Sequence, residues 1–476
     1  MHVHTIATLL AGSMVAGAAL AQPQMVRDIW PGPDGQSQLD GIVNDGQFFF
    51  RADNGTDGTE PWISDGTAGG TQQLADLRPG PDGSFPTFRG SLSSTVFFNA
   101  FDDAAGSEIW SVAAFPGIPV VFDIRPGQAS SSPSWLGIVG GRVLVTASDN
   151  NGEREIWWVN SGSGPVPYVD INGAQGSSNA TALTPIGPNS ALLVAKPLNP
   201  PSIGNRPHRL VEDVATEILG PNDVRLTFSN GYWQVPGGWL FMANAEGEAD
   251  GSEPWLLPNG SDVAQQVRDI NPGNASGYPS SLLFTGDPIN GVVYFAGQTV
   301  DEGIEPWRSD GTSGGTFIIA DVAPGNLDSA PEKFVEFDGH VYFGGQSPNG
   351  PQLWRVSGST AELVATISSD PNGAAPRPWL VFDNHLIFRA ETSEHGFEWW
   401  AANGTIGGVA LISDINPGAA DGSPRGESWV VNDTLLFEAD NGVDGRELWK
   451  LDSGFLESLF TLIFLDSFEC LPAICP

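Results

Sequence analysis

Phe48-Phe49-Phe50-Arg51-Ala52 comes back eight more times, each time as three apolar residues ending on Ala or Gly within two steps. The counterparts are Val96-Phe97-Phe98 before Ala100, Val143-Leu144-Val145 before Ala147 and Leu192-Leu193-Val194 before Ala195. Next come Leu240-Phe241-Met242 before Ala243, Val293-Tyr294-Phe295 before Gly297 and Val341-Tyr342-Phe343 before Gly345. Leu386-Ile387-Phe388 before Ala390 and Leu435-Leu436-Phe437 before Ala439 complete the series. From Ala52 to Ala439 is 387 positions in eight steps, about 48 each. A period of this size marks an array of one supersecondary unit.

Each unit reads as four short strands. In the first they are Leu39 to Val43, Gln47 to Ala52, Pro61 to Ser64 and Gln72 to Leu77, with Asn44-Asp45-Gly46 as a hairpin signal. Asp65-Gly66-Thr67 and Gly69-Gly70 break the chain before the fourth. A second strand that is apolar throughout must be covered on both faces, hence lie between neighbouring sheets. Four strands in about 48 residues predict the blade of a β-propeller, whereas a β-helix rung would be far shorter. The expectation is all-β: a closed propeller of about nine four-stranded blades, with eight, ten or two smaller rings as alternatives.

Two further anchors recur. One is Asp with an aliphatic residue, at Asp28-Ile29, Asp76-Leu77, Asp123-Ile124, Asp170-Ile171, Asp269-Ile270, Asp321-Val322 and Asp414-Ile415. The other is a tryptophan, at Trp62, Trp110, Trp157, Trp255, Trp307, Trp354, Trp399 and Trp449; the fourth repeat has Pro207-His208-Arg209 near that place. The array opens on Met25 to Ile29 and stops after Glu447 to Leu451, so the last repeat lacks its fourth strand and the N-terminus has one to spare. Ring closure by that N-terminal strand would remove both exposed edges.

The third strand and its turn read Glu60-Pro61-Trp62-Ile63-Ser64-Asp65-Gly66-Thr67 in the first repeat and Glu305-Pro306-Trp307-Arg308-Ser309-Asp310-Gly311-Thr312 in the sixth. The ninth keeps Glu447-Leu448-Trp449. Together with the Asp-Ile-x-Pro-Gly segments at 28–32, 123–127, 269–273 and 414–418, this resembles the ELWxxDGT repeat family of secreted bacterial proteins, sometimes described as hyalin-like. The resemblance covers residues 25 to 453; repeats four, five and seven depart from it. It implies an exported, propeller-like repeat protein and brings no established reaction.

A net charge of −36 excludes a nucleic-acid footprint and an anionic membrane surface, and leaves cations, basic proteins and neutral glycans as partners. Its simplest role is solubility. Residues 1–21 read as a signal peptide ending at Ala19-Leu20-Ala21, though His2 and His4 stand where Lys or Arg is usual. The mature chain is then secreted, at the cell surface or periplasmic, with no membrane span, and a monomer. Residues 22–453 form the repeat domain and 454–476 a tail. In the tail Phe455 to Phe468 is too short to span a bilayer, and Cys470 and Cys475 could close a disulfide.

The acidic octets Asp53 to Glu60 and Asp440 to Glu447 share D-N-G-x-D-G-x-E. Their carboxylates (Asp53, Asp57, Glu60; Asp440, Asp444, Glu447) offer oxygens to a hard cation such as calcium, without EF-hand spacing. The competing reading is a tight turn in which Asp and Asn bond their own backbone. The recurrent Asp of Asp-Ile suits a turn cap better than glycoside hydrolysis, since an active site would break the repeat symmetry. Gly311-Thr312-Ser313-Gly314-Gly315 mimics a nucleophile elbow, but Ala68 and Ile406 replace the Ser in sister repeats, so it is a turn. His208, His340, His385 and His395 show no metal-ligand spacing. No catalytic residue is assigned. The expectation is a secreted, non-enzymatic propeller that binds an extracellular glycan or protein. The alternative is an extracellular polysaccharide hydrolase or lyase with asymmetric carboxylates near repeats four to five.

Overall fold

The computed structural model describes residues 22–468 apart from 34, 37–38, 114–116, 161–163, 172–175, 197–203, 249–250, 274, 278–285, 369, 371–372, 374–375 and 423–426. The leader read at 1–21 and the Cys470–Cys475 pair lie outside the described residues.

Nine antiparallel four-stranded sheets follow one another as blades. Blade one is Gly41–Asn44, Gln47–Asp53, Thr59–Ser64 and Gln72–Gln73, in that order from first to last strand. Its first hairpin closes on Asp45 and Gly46 at φ 50° and 71°, the left-handed pair that a two-residue turn requires. First strands lie side by side around the axis: Gly41–Asn44 neighbours both Thr87–Leu92 of blade two and Ser428–Val431 of blade nine. The ring therefore closes. Gln24–Arg27 supplies the outer strand of blade nine, pairing with Arg446–Asp452 through Met25 opposite Trp449.

The repeated apolar run works because its side chains alternate between two interfaces. Phe48 and Phe50 pack with Trp429, Val431, Leu436 and Leu448 of blade nine. Phe49 between them points the other way, to Phe88, Val96, Phe98 and Trp110 of blade two. All three phenylalanines are at most 1% exposed, so one strand glues two blade contacts. The Ala or Gly after the run has its own reason. It faces the recurrent glutamate across the hairpin, as Ala52 faces Glu60 and Gly297 faces Glu305. The tryptophan two residues on then leans over it: a Cβ on Gly297 would lie 2.4 Å from the Trp307 ring.

This register corrects one anchor. In blade eight the residue opposite Phe388 is Trp400, whereas Trp399, taken above as the eighth anchor, is opposite Arg389. The spacing Glu-x-Trp holds at Glu398 and Trp400; Trp399 packs instead against Phe437. In blade four His208 takes the anchor place, opposite Leu193, and is buried.

Past the ring, helix Phe455–Phe468 docks by Phe455 and Leu456 into the core shared by blades eight and nine. The Gly454 N–H donates to Asp383 Oδ2 at 2.7 Å, and the His385 ring stacks on Phe460 at 4.9 Å. Among the described residues no helix is long and apolar enough to cross a membrane.

Phe49→Ala empties a site that two blades share and should cost about 3–5 kcal/mol in urea unfolding. Val211→Ala, at a half-exposed position, should cost under about 0.5 kcal/mol. Equal costs would contradict the double-sided burial.

Candidate functional site

Each blade places one residue at the start of its third strand beneath the return loop to the next blade. In order these are Glu60, Glu108, Glu155, Arg206, Glu253, Glu305, Gln352, Glu398 and Glu447, each opposite the small residue of strand two. Glu60 accepts the N–H groups of Leu77 and Arg78 at 3.1 and 3.2 Å and the Ser84 hydroxyl at 2.6 Å. Glu305 accepts Val322, Ala323 and Ser329 N–H. Glu447 does the same across the closure, taking Ile29 N–H at 3.0 Å and Trp30 N–H at 3.1 Å. Blade eight brings Gly422 against the carboxylate, where a Cβ would sit 2.0 Å from Glu398 Oε1. Glu60, Glu305, Glu398 and Glu447 are fully buried. Burial pushes Glu305 and Glu447 up to about 7 and Glu398 up to about 8, against the lowering by their N–H donors.

The acidic octets split at this point. Asp53 Oδ1 accepts Gly55 N–H, Asp57 Oδ2 accepts the Asn54 amide, and Asn54 Oδ1 accepts Thr56 and Asp57 N–H. Asp440, Asn441 and Asp444 repeat that pattern. Glu60 and Glu447 leave those turns to serve the return loop. Among the described residues no three His, Cys, Asp or Glu side chains gather as a metal group. The Asp of Asp-Ile caps its own turn, as Gly127 N–H to Asp123 and Gly418 N–H to Asp414 show. Ser313 sits exposed on a turn. His395 Nδ1 lies 3.0 Å from Asp414 Oδ2 on the same blade.

Symmetry fails elsewhere than expected. At blades four and five the irregularity is a buried arginine with two partly exposed partners: Arg206 reaches Glu217 at 3.3 Å and Glu246 at 3.2 Å, filling the space a glutamate holds in seven other blades. The asymmetric charges gather at the upper mouth of the channel, on the face of the return loops, in blades six to one. Lys333, just ahead of the first strand of blade seven, and Arg377, which begins that of blade eight, stack on Trp379 at 4.2 and 5.4 Å from its centroid. Asp287 of blade six accepts Phe334 N–H at 2.8 Å; burial raises its carboxyl, and Lys333 and Arg377 oppose the rise. Burial lowers the Lys333 ammonium, opposed by Asp287. Next in the ring Glu438 accepts Leu39 N–H at 2.7 Å, its carboxyl raised by burial and countered by Arg446, Arg389 and Arg51. Sequence spacing carried no sign of this cluster, because its members occupy different steps of different repeats.

No family profile and no curated protein sequence matches the chain. Solved structures do. A prolyl endopeptidase matches with a TM-score of 0.38 at 9% identity, over 74% of this chain and 54% of its own. A puromycin-hydrolyzing peptidase of Mycobacterium tuberculosis matches with 0.40 at 13%, over 76% of this chain and 61% of its own. Saccharomyces cerevisiae Sqt1 matches with 0.43 at 9%, over 91% of this chain and all of its own. The chain thus spans little more than half the length of the peptidases it matches. These matches correct the expectation of a non-enzymatic glycan- or protein-binding propeller, and its polysaccharide-enzyme alternative: propellers of peptide hydrolases recur among them. At such identities and scores the likeness concerns the fold and assigns this chain no activity.

The buried glutamates set a pH dependence. Their folded pKa values lie above the unfolded value of 4.5, so folding takes up protons. Their contribution is complete below about pH 4.5 and is lost as pH rises through 7 to 8. Calorimetric Tm should fall by about 5 °C between pH 5 and 8.5. Glu398→Gln, which mimics the neutral acid, should flatten that slope; an unchanged slope would contradict the assignment.

Proposed function

We propose that the ring receives a peptide at the upper mouth of its channel and presents it for hydrolysis, as the substrate-handling part of a peptide-cleaving system. The observation that supports this is the polarity of the mouth. A basic sector (Lys333, Arg377, Arg389) adjoins an acidic one (Glu427, Glu438, Asp40), while blades two and three offer neutral Thr87 and Ser134 at the matching first-strand places. A neutral polymer would draw nothing from such charge separation. A polypeptide carries charges of both signs on one chain.

The second support is the strand edge. The ladder of each first strand runs only to the second strand of its own blade, which leaves its other edge toward the channel, apart from local bonds between blades such as Phe334 N–H to Asp287 Oδ2 and the Trp429 indole N–H to Gly41 O. An extended peptide carries the matching N–H and C=O groups and can add to such an edge. A nucleic acid would meet a chain of net charge −36.

The test is fluorescence anisotropy with a labelled decapeptide holding both Glu and Lys, its C-terminus amidated. The double variant Lys333→Gln/Arg377→Gln should weaken binding about tenfold, and 0.5 M salt should do the same. No binding at millimolar peptide, or binding indifferent to the double variant, would overturn the proposal.

A further inference from the structure

Between blades two and three, on the same rim, lies a cavity of ≈ 440 Å³ lined by Arg89, Asn99, Pro133, Ser134 and Trp135. Its size falls among ordinary small-ligand sites. Arg89 is the extra residue of a β-bulge, between Phe88 and Gly90 in the register, and the bulge turns it out of the sheet and into solvent. It makes no hydrogen bond, ion pair or ring contact with any described residue, in a chain where acids outnumber bases 56 to 20. An arginine that stays unpaired among so many carboxylates has been kept away from them.

The other walls are as specific. Asn99 donates its amide N–H to Pro133 O at 2.7 Å, which fixes the amide plane and leaves Oδ1 buried without a partner. A buried acceptor left open costs about 1–3 kcal/mol unless something donates to it. The Ser134 hydroxyl oxygen receives Arg154 Nη2 at 2.9 Å, so its own proton is free to point into the cavity. Trp135 is a rigid wall: its ring lies 6.1 Å from Phe97, and a Cβ on Gly90 would come within 2.4 Å of it, so only glycine lets it lie there.

We infer that this cavity binds the C-terminal residue of a peptide. The terminal carboxylate takes the Arg89 guanidinium and the Ser134 hydroxyl, with Arg154 behind; the last backbone N–H donates to Asn99 Oδ1; the side chain lies on Trp135. A guanidinium suits the two oxygens of a carboxylate. The orphaned carbonyl is what separates this ligand from a simple anion, which has no N–H to offer. The inference rests on the reading of the mouth as a peptide site and names the subsite that reads the chain end.

The probe is N-acetylphenylalanine against N-acetylphenylalaninamide, followed by NMR on the full chain. The acid should bind at least tenfold tighter than the amide, and Arg89→Gln, at an exposed position, should abolish that preference. Asn99→Leu should weaken the acid while leaving the Tm within a few degrees. Equal binding of acid and amide, or a preference that survives Arg89→Gln, overturns the subsite. Binding of the amidated decapeptide then still reports separately on the channel, because that probe has no terminal carboxylate.

Discussion

A buried carboxylate that accepts backbone N–H groups from the next connection holds this ring together. Cross-strand pairing makes each blade, and phenylalanine packing sets neighbours face to face. Neither says where the chain should pass from the outer edge of one blade to the inner edge of the next. The glutamate at the start of strand three does, by giving the return loop acceptors for N–H groups that would otherwise be buried unpaired. The same constraint explains the small residue of strand two, which leaves room beneath the loop. It also explains why Arg206 in blade four needs two carboxylates of its own: a buried charge must be paired. At Glu447 the device reaches across 418 residues to Ile29 and makes the ring covalently open but structurally closed.

Much of this was legible in the residues. The period, the four strands, the double-sided second strand and the displaced N-terminal strand all follow from apolar spacing, and all stand in the structure. The misreadings share one cause, which is that proximity along the chain was weighed above the side on which a strand residue points. Glu60 was grouped with Asp53 and Asp57 because they are close in sequence, yet the third strand turns it away from the turn and under the loop. Its recurrence in seven repeats, while the turn residues drift to Ala104 or Pro348, was the available signal. Trp399 was preferred to Trp400 although the Glu-x-Trp spacing selects the latter. A one-residue slip reverses the face.

Function was less legible for a physical reason. Repetition specifies a scaffold, whereas the polar mouth is made of residues that break the repeat: Lys333, Arg377 and Trp379 in one sector, Arg89 and Asn99 in another. Arg89, Arg377 and Trp379 lie on first strands, where bulges between Phe88 and Gly90 and between Pro378 and Leu380 re-aim single side chains. A bulge has no marker in a sequence of this kind. The charges on such a rim act together because the surrounding sheets exclude water from one side of each.

The central claim is that the third-strand carboxylate fastens the return loop and, at Glu447, the closure. Amide hydrogen exchange on Glu447→Ala tests it directly. Ile29 and Trp30 should lose protection by at least tenfold together with Gln24–Arg27, while Glu108→Ala should affect only Ile124 and Ser131 in its own loop. Undiminished protection at Ile29 and Trp30 would contradict the account.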